Sequence, residues 1–276
     1  MLEEQVYKKI MNKVIMNKEQ GYALYFKYKD LLIEKTNGLE SDKYSFPITF
    51  NTCFRLASVS KQFIAYAIII LVEEKFLSFS TPIIEIFSDL PQYFNKITIR
   101  QLLNHTSGVY DYEKMPHQEN DEQIKDEQIL DFLKTTTHTY FEPGTRYQYS
   151  NTGYILLGQI IEKVSNNKIN DYLNKKVFTK AKLFNTYVND EGKTIIPNRA
   201  YGHILDNNQL IVKDQYWCSA TIGDGGLYSN ITDLNKWIDY LLGDDFDKLK
   251  STMFLPNKIY PVMCLMRKPI HIMDWG

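Results

Sequence analysis

Hydrophobic positions crowd most densely between Phe63 and Val72, where Phe63, Ile64, Tyr66, Ala67, Ile68, Ile69, Ile70, Leu71 and Val72 run almost unbroken before Glu73, Glu74 and Lys75. The run predicts a helix from Phe63 to Leu77 that is apolar nearly all round and therefore buried. It is too short for a membrane span, which takes about 20 residues, so no transmembrane segment is expected. Upstream, Gly21 to Lys29 and Leu31 to Lys35 are aromatic and aliphatic runs parted by Asp30, the pattern of a strand hairpin. From Ser58 to Leu183 a helical pattern prevails, broken at Thr81-Pro82, Thr106-Ser107-Gly108 and Glu142-Pro143-Gly144. Strand pattern returns at Tyr201 to Lys213, with Asp206-Asn207-Asn208 as its turn, and a glycine-rich turn follows at Gly223 to Gly226. Ser229 to Asp233 then supply caps for a helix through Leu234, Trp237, Ile238 and Leu241. Strands at both ends with helices between predict an α/β (α+β) chain. Its sheet lobe spans about 1–57 and 196–276, its helical lobe about 58–195, and the cleft between them is the expected site.

Composition narrows the function without naming it. The 276 residues are 44% hydrophobic and 24% charged, which is ordinary for a folded globular chain. A net charge of -1 offers no overall field to draw nucleic acid or an anionic membrane, so neither is expected as a partner. Cys53, Cys218 and Cys264 are odd in number and widely spaced, which argues for structural thiols rather than a disulfide framework or a metal cluster. No metal or organic cofactor is implied. The first twenty residues read as an amphipathic helix and hold no apolar core of signal-peptide length. The expected location is cytoplasmic, or periplasmic or extracellular if a signal has been removed.

Chemistry enters at Ser58-Val59-Ser60-Lys61, at the head of the apolar helix. Residues three apart share a helix face, so the Lys61 amine can lie beside the Ser58 hydroxyl. Free N–H groups and the positive dipole end favour an oxyanion forming there. By itself S-x-x-K is weak, since Ser165-Asn166-Asn167-Lys168 matches too, but that copy lies in a polar turn with no apolar helix running on from it. Tyr-x-Asn is weaker still, occurring at Tyr93, Tyr149, Tyr172, Tyr187 and Tyr228. Tyr149-Ser150-Asn151 stands out by its setting, between the Phe141 to Thr145 turn and an apolar helix from Tyr154 to Ile161. His105 invites a triad reading with Ser58, with a loop-organising or capping role the stronger expectation; Asp224 could be catalytic, with bonding within its own turn the commoner case; Tyr110, Tyr112 and Glu119 to Glu127 are expected to border the cleft or form a solvated loop.

The strings FRLASVSKQF (Phe54 to Phe63), LLNHTSG (Leu102 to Gly108), FEPGTRYQYSNTGYILLGQIIE (Phe141 to Glu162) and GDGGLYSNITDLNKW (Gly223 to Trp237) occur in one order and spacing. In this the chain resembles serine β-lactamase-related and penicillin-binding proteins, nearest the class C β-lactamase branch with its D,D-peptidases and esterases. The resemblance covers roughly Gly21 to Leu242 and implies an antiparallel sheet flanked by helices beside a helical lobe. It implies Ser58 as acylated nucleophile, Lys61 as the amine that helps deprotonate it and Tyr149 as proton shuttle. Asn151 would hold the amide of the acyl side chain and help orient Lys61. A Lys-Thr-Gly or His-x-Gly motif on an edge strand should supply the second oxyanion donor, but none follows Gly226. The likeness fades after about Leu255, where Lys268 and His271 are the remaining cationic candidates and the C-terminal part is expected to be shortened or divergent. The function implied is a serine hydrolase acting on a β-lactam, a D-Ala-D-Ala-like peptide or a small ester. The competing expectation is a catalytically impaired module that binds penicillin-like or peptidoglycan-like ligands.

Overall fold

A computed structural model describes residues 7–9, 12, 21–28, 30–40, 46–117, 122–190, 193–207 and 209–243. Lys268, His271, Cys264 and the expected divergence after Leu255 lie outside the described residues, as does most of the segment expected to form an N-terminal helix, of which Tyr7–Lys9 and Asn12 are described and helical.

The first hairpin pairs β1 (Tyr22–Tyr28) with β2 (Leu31–Asn37), Tyr28 opposite Leu31 across the turn at Asp30. A short strand β3 (Phe54–Arg55) leads through a 3-10 turn at Ala57–Ser60 into helix α1 (Lys61–Glu73). Every residue of α1 from Phe63 to Leu71 is buried. The helix is thus walled in on all sides, as an apolar run without a polar face requires. It begins two residues earlier than the pattern predicts and ends four earlier. Lys75 turns left-handed with φ +64°, and the Phe76 N–H bonds back to the Leu71 carbonyl at 3.0 Å, a closure that takes the apolar Phe76 and Leu77 off the helix.

Short α2 (Ile99–Leu103) opens on a Thr98/Gln101 capping box, and α3 (Asp126–Lys134) buries Asp126, Ile129 and Leu133. The second long helix, α4 (Asn151–Ser165), starts where the Ser150 hydroxyl accepts the Gly153 N–H at 3.1 Å and stops where Asn166 adopts φ +53°. Helix α5 (Ile169–Leu173) follows it. Helices α1 and α4 pack together at the centre of the largest apolar cluster.

Strand β4 (Tyr187–Val188) precedes the hairpin of β5 (His203–Asp206) and β6 (Gln209–Val212), after which come β7 (Leu227–Ser229) and α6 (Ile231–Leu242). The α6 face carrying Trp237 and Leu241 lies against α1, with the Trp237 and Phe63 rings stacked at 4.6 Å. Among the described residues the strands form three antiparallel pieces, β1-β2, β3-β7-β4 and β5-β6. The fold is therefore mixed helix and antiparallel sheet. The piece β3-β7-β4 matters most for function, because β3 delivers the chain to Ser58 and β7 leaves the glycine turn.

Candidate active site

Ser58 sits in the 3-10 turn directly ahead of α1, immediately after Ala57, whose φ of +44° is in the left-handed region that non-glycine residues rarely adopt. The turn is tied down on both sides. The Leu56 N–H bonds the Leu227 carbonyl at 2.8 Å, and the Ser60 hydroxyl accepts the Leu227 N–H at 3.2 Å, so β7 fixes the head of α1. Three residues on from Ser58, Lys61 is only 4% exposed. Its Nζ donates to Ser58 Oγ at 3.1 Å and to the Asp224 backbone carbonyl at 2.6 Å. Tyr149, on the segment that enters α4, donates its hydroxyl to the same Ser58 Oγ at 2.6 Å. Lys61 Nζ also lies 5.1 Å from the Tyr149 ring centroid and 5.7 Å from that of Tyr154.

Burial sets the protonation of this cluster. It lowers the Lys61 amine from its ordinary 10.5 to about 8, although the Asp224 and Glu113 charges pull the other way. It raises the Tyr149 phenol to about 12 against the opposing effect of the Ser58 hydrogen bond. Near neutral pH the phenol is therefore a proton donor, and the amine is the group of the two that can lose its proton.

Asn151 turns its amide toward Glu113. Its Nδ2 donates to Glu113 Oε1 at 2.7 Å, with no hydrogen bond to Lys61 among those described, and its buried Oδ1 has no partner among the described residues. Beyond it, the Tyr112 hydroxyl donates to Asp224 Oδ2 at 3.2 Å, while Asp224 Oδ1 is buried and unpartnered among the described residues. Partial desolvation at the rim of the site also raises the Glu113 carboxyl, with its bond to Asn151 opposing.

A family model described as Beta-lactamase matches residues 16–257. The chain belongs to the Beta-lactamase family. Its relatives there include "Penicillin-binding protein 4*" of Bacillus subtilis (strain 168), 31% identical over 257 residues that cover 87% of this chain and 56% of that protein. A D-aminopeptidase of Brucella anthropi is 23% identical over 241 residues, covering 80% and 42%. The chain thus spans about half the length of these curated relatives. Among solved structures, the octameric penicillin-binding protein homologue from Pyrococcus abyssi superposes with a TM-score of 0.71 at 27% identity, over 88% of this chain and 57% of that one. A D-amino acid amidase from Ochrobactrum anthropi SV3 shares the fold with a TM-score of 0.77 at 24% identity, over 92% and 75%.

Within this Beta-lactamase family chain, Ser58, Lys61 and Tyr149 converge and Asn151 faces Glu113. The second S-x-x-K does not converge: Ser165 Oγ accepts the Asn167 N–H at 3.3 Å and Lys168 Nζ lies 3.8 Å from Glu162. Glu113 was not singled out by sequence reasoning, and Asp126 only as part of the Glu119 to Glu127 segment expected to border the cleft or form a solvated loop. Asp126 is 5% exposed and accepts the N–H groups of Ile222 at 2.8 Å and Gly223 at 3.0 Å, which holds the glycine turn that presents the Asp224 carbonyl. Nothing in a lone aspartate at a helix start signals that role. The third-motif strand expected to give a second oxyanion donor is not found among the described residues, and no group of three His, Cys, Asp or Glu there could hold a metal ion. No described helix is long and apolar enough to cross a membrane.

Proposed function

We propose that the protein is a serine hydrolase that cleaves small amides or short peptides through an acyl-enzyme on Ser58. The observation that carries this reading is the pair of contacts on one oxygen, Lys61 Nζ at 3.1 Å and Tyr149 OH at 2.6 Å. A serine hydroxyl is a weak nucleophile until a neighbouring base takes its proton. With Lys61 at about 8, roughly one molecule in ten holds it as the free amine at pH 7. That amine takes the Ser58 proton as Oγ bonds to the substrate carbonyl carbon. The Ser58 backbone N–H, at the head of α1, faces the oxyanion. As the carbon–nitrogen bond breaks, Tyr149 gives its phenol proton to the leaving nitrogen and recovers one from the Lys61 ammonium. Water then follows the same route in reverse and frees Ser58.

The flank of the site supports a narrower substrate class. Glu113 and Asp224 are both close enough to Lys61 to raise its proton affinity, and Asp224 Oδ1 and Asn151 Oδ1 are buried acceptors without donors among the described residues. Such a wall favours an acyl donor bearing a protonated amino group. The name of the relative called a D-aminopeptidase agrees with that class.

The test is to incubate the protein with a D-amino acid amide, its N-acetylated form, a chromogenic ester and a fluorescent penicillin, then locate adducts by mass spectrometry. We expect an adduct on Ser58 with turnover, and the free-amine amide favoured about tenfold or more over the N-acetylated one, as a charge-assisted contact provides. Ser58→Ala should lower turnover by several orders of magnitude. An adduct without turnover would mean a penicillin-binding module, and no adduct on Ser58 from any donor would remove the catalytic reading.

A further inference from the structure

We infer that His105 is a positioning residue that splints Tyr149 against Ser58. The inference rests on the reading of Tyr149 as the proton donor, and it goes beyond it by assigning what holds that donor in place. His105 follows α2, is 5% exposed and has φ +56°, a left-handed conformation in which histidine is among the few side chains that occur with any frequency. Turned this way, it meets the chain entering α4 at two points. Its backbone carbonyl accepts the Gln148 N–H at 2.9 Å, and its ring Nδ1 accepts the Ser150 N–H at 3.1 Å. The residue between those two anchors is Tyr149.

The imidazole also covers the phenol ring. His105 and Tyr149 stack with centroids 4.5 Å apart at 29°, and the Tyr154 ring lies 5.1 Å from the imidazole at 34°. Tyr149 is thus fixed in its backbone by two hydrogen bonds and in its side chain by a ring face. Behind it Ser150 caps α4 with the Gly153 N–H.

An Nδ1 that accepts must be unprotonated, so the ring carries its hydrogen on Nε2. Burial and the nearby Lys61 charge push its proton affinity down to about 3, so near neutral pH the ring is an uncharged acceptor. A charged imidazole would present a donor to the Ser150 N–H and break the splint. The same contacts argue against a Ser-His relay, because the described hydrogen bond of the His105 ring runs to Ser150 and not to Ser58.

The experiment is a double-mutant cycle with a chromogenic acyl donor. His105→Phe keeps a ring to stack but removes the acceptor. We expect kcat to fall about 10- to 100-fold with KM within about threefold. In a Tyr149→Phe background the same change should cost less than about threefold further, since the group it positions is already gone. Full additivity of the two losses, or an undiminished kcat in the single variant, would overturn the inference. Where His105→Phe fails to fold by thermal melt, His105→Asn replaces it, because asparagine tolerates the left-handed backbone. If the unmodified protein turns over none of the donors, the catalytic reading fails but the splint is still measured: the 13Cζ resonance of Tyr149, assigned through Tyr149→Phe, should move in the His105 variant, and an unmoved resonance would refute the positioning role.

Discussion

Lys61 is held between two demands at the scale of a single residue. Its ammonium is welcomed by the Asp224 carbonyl and resisted by its own burial, and burial wins to leave it at about 8. A base of this kind works only after losing its proton, so kcat/KM should rise about tenfold per pH unit below 8 and level off above it. A pH–rate profile flat from pH 6 to 9 would contradict Lys61 as the base. The Ser58 and Lys61 pairing was legible in the sequence because both groups lie on one turn and the helix behind them is unmistakably apolar. The Asp224 contact was not, since it is made by a backbone carbonyl, which every residue carries and no side chain advertises. Glu113 was hidden for another reason: its partner Asn151 lies 38 positions away, a closeness created only when the fold brings the Tyr112–Lys114 turn to the start of α4.

Among the elements, the glycine turn shows how tightly the site is built. A Cβ on Gly223 would stand 2.5 Å from the Tyr154 carbonyl oxygen and 2.7 Å from the Ile155 Cα, backbone atoms of α4 that cannot swing aside. A Cβ on Gly225 would meet Ala57 at an ordinary 3.5 Å. Gly223→Ala should therefore destabilise the fold by about 1–3 kcal/mol in a denaturant titration, while Gly225→Ala changes it far less. Equal effects at the two positions would contradict this packing. Helix interiors were legible from periodicity. Their ends were less so, as at Lys75, because a left-handed closure depends on which carbonyl the next N–H finds rather than on hydropathy.

Across the whole molecule, Asp126 links α3 to the turn beneath the site, and burial raises its carboxyl to about 8 against two backbone N–H bonds. A carboxyl whose proton affinity rises on folding stabilises the folded state below about pH 4, and that contribution is lost as pH climbs toward 8. Urea unfolding at pH 5 and pH 8.5 should show the protein losing stability over that interval by more than about 1 kcal/mol relative to Asp126→Asn. Parallel pH trends in the two proteins would rule the linkage out. The alternation of strand-rich and helix-rich stretches was legible at this scale. The β1-β2 and β5-β6 hairpins were legible as well, but the joining of β3, β7 and β4 was not, because pairing between segments as remote as Phe54 and Ser229 leaves no local mark.

Burial grades across the site, from Lys61 sealed in the central helix to Glu113 exposed at the rim. Lys61, the proposed base, is rooted in the part of the protein that folding can least do without, while Glu113, on the proposed substrate side, is not. An engineer could therefore rewrite what is accepted at Glu113, trading its carboxylate for a neutral or cationic side chain, without touching the turn that carries Ser58 or the core helix that carries Lys61.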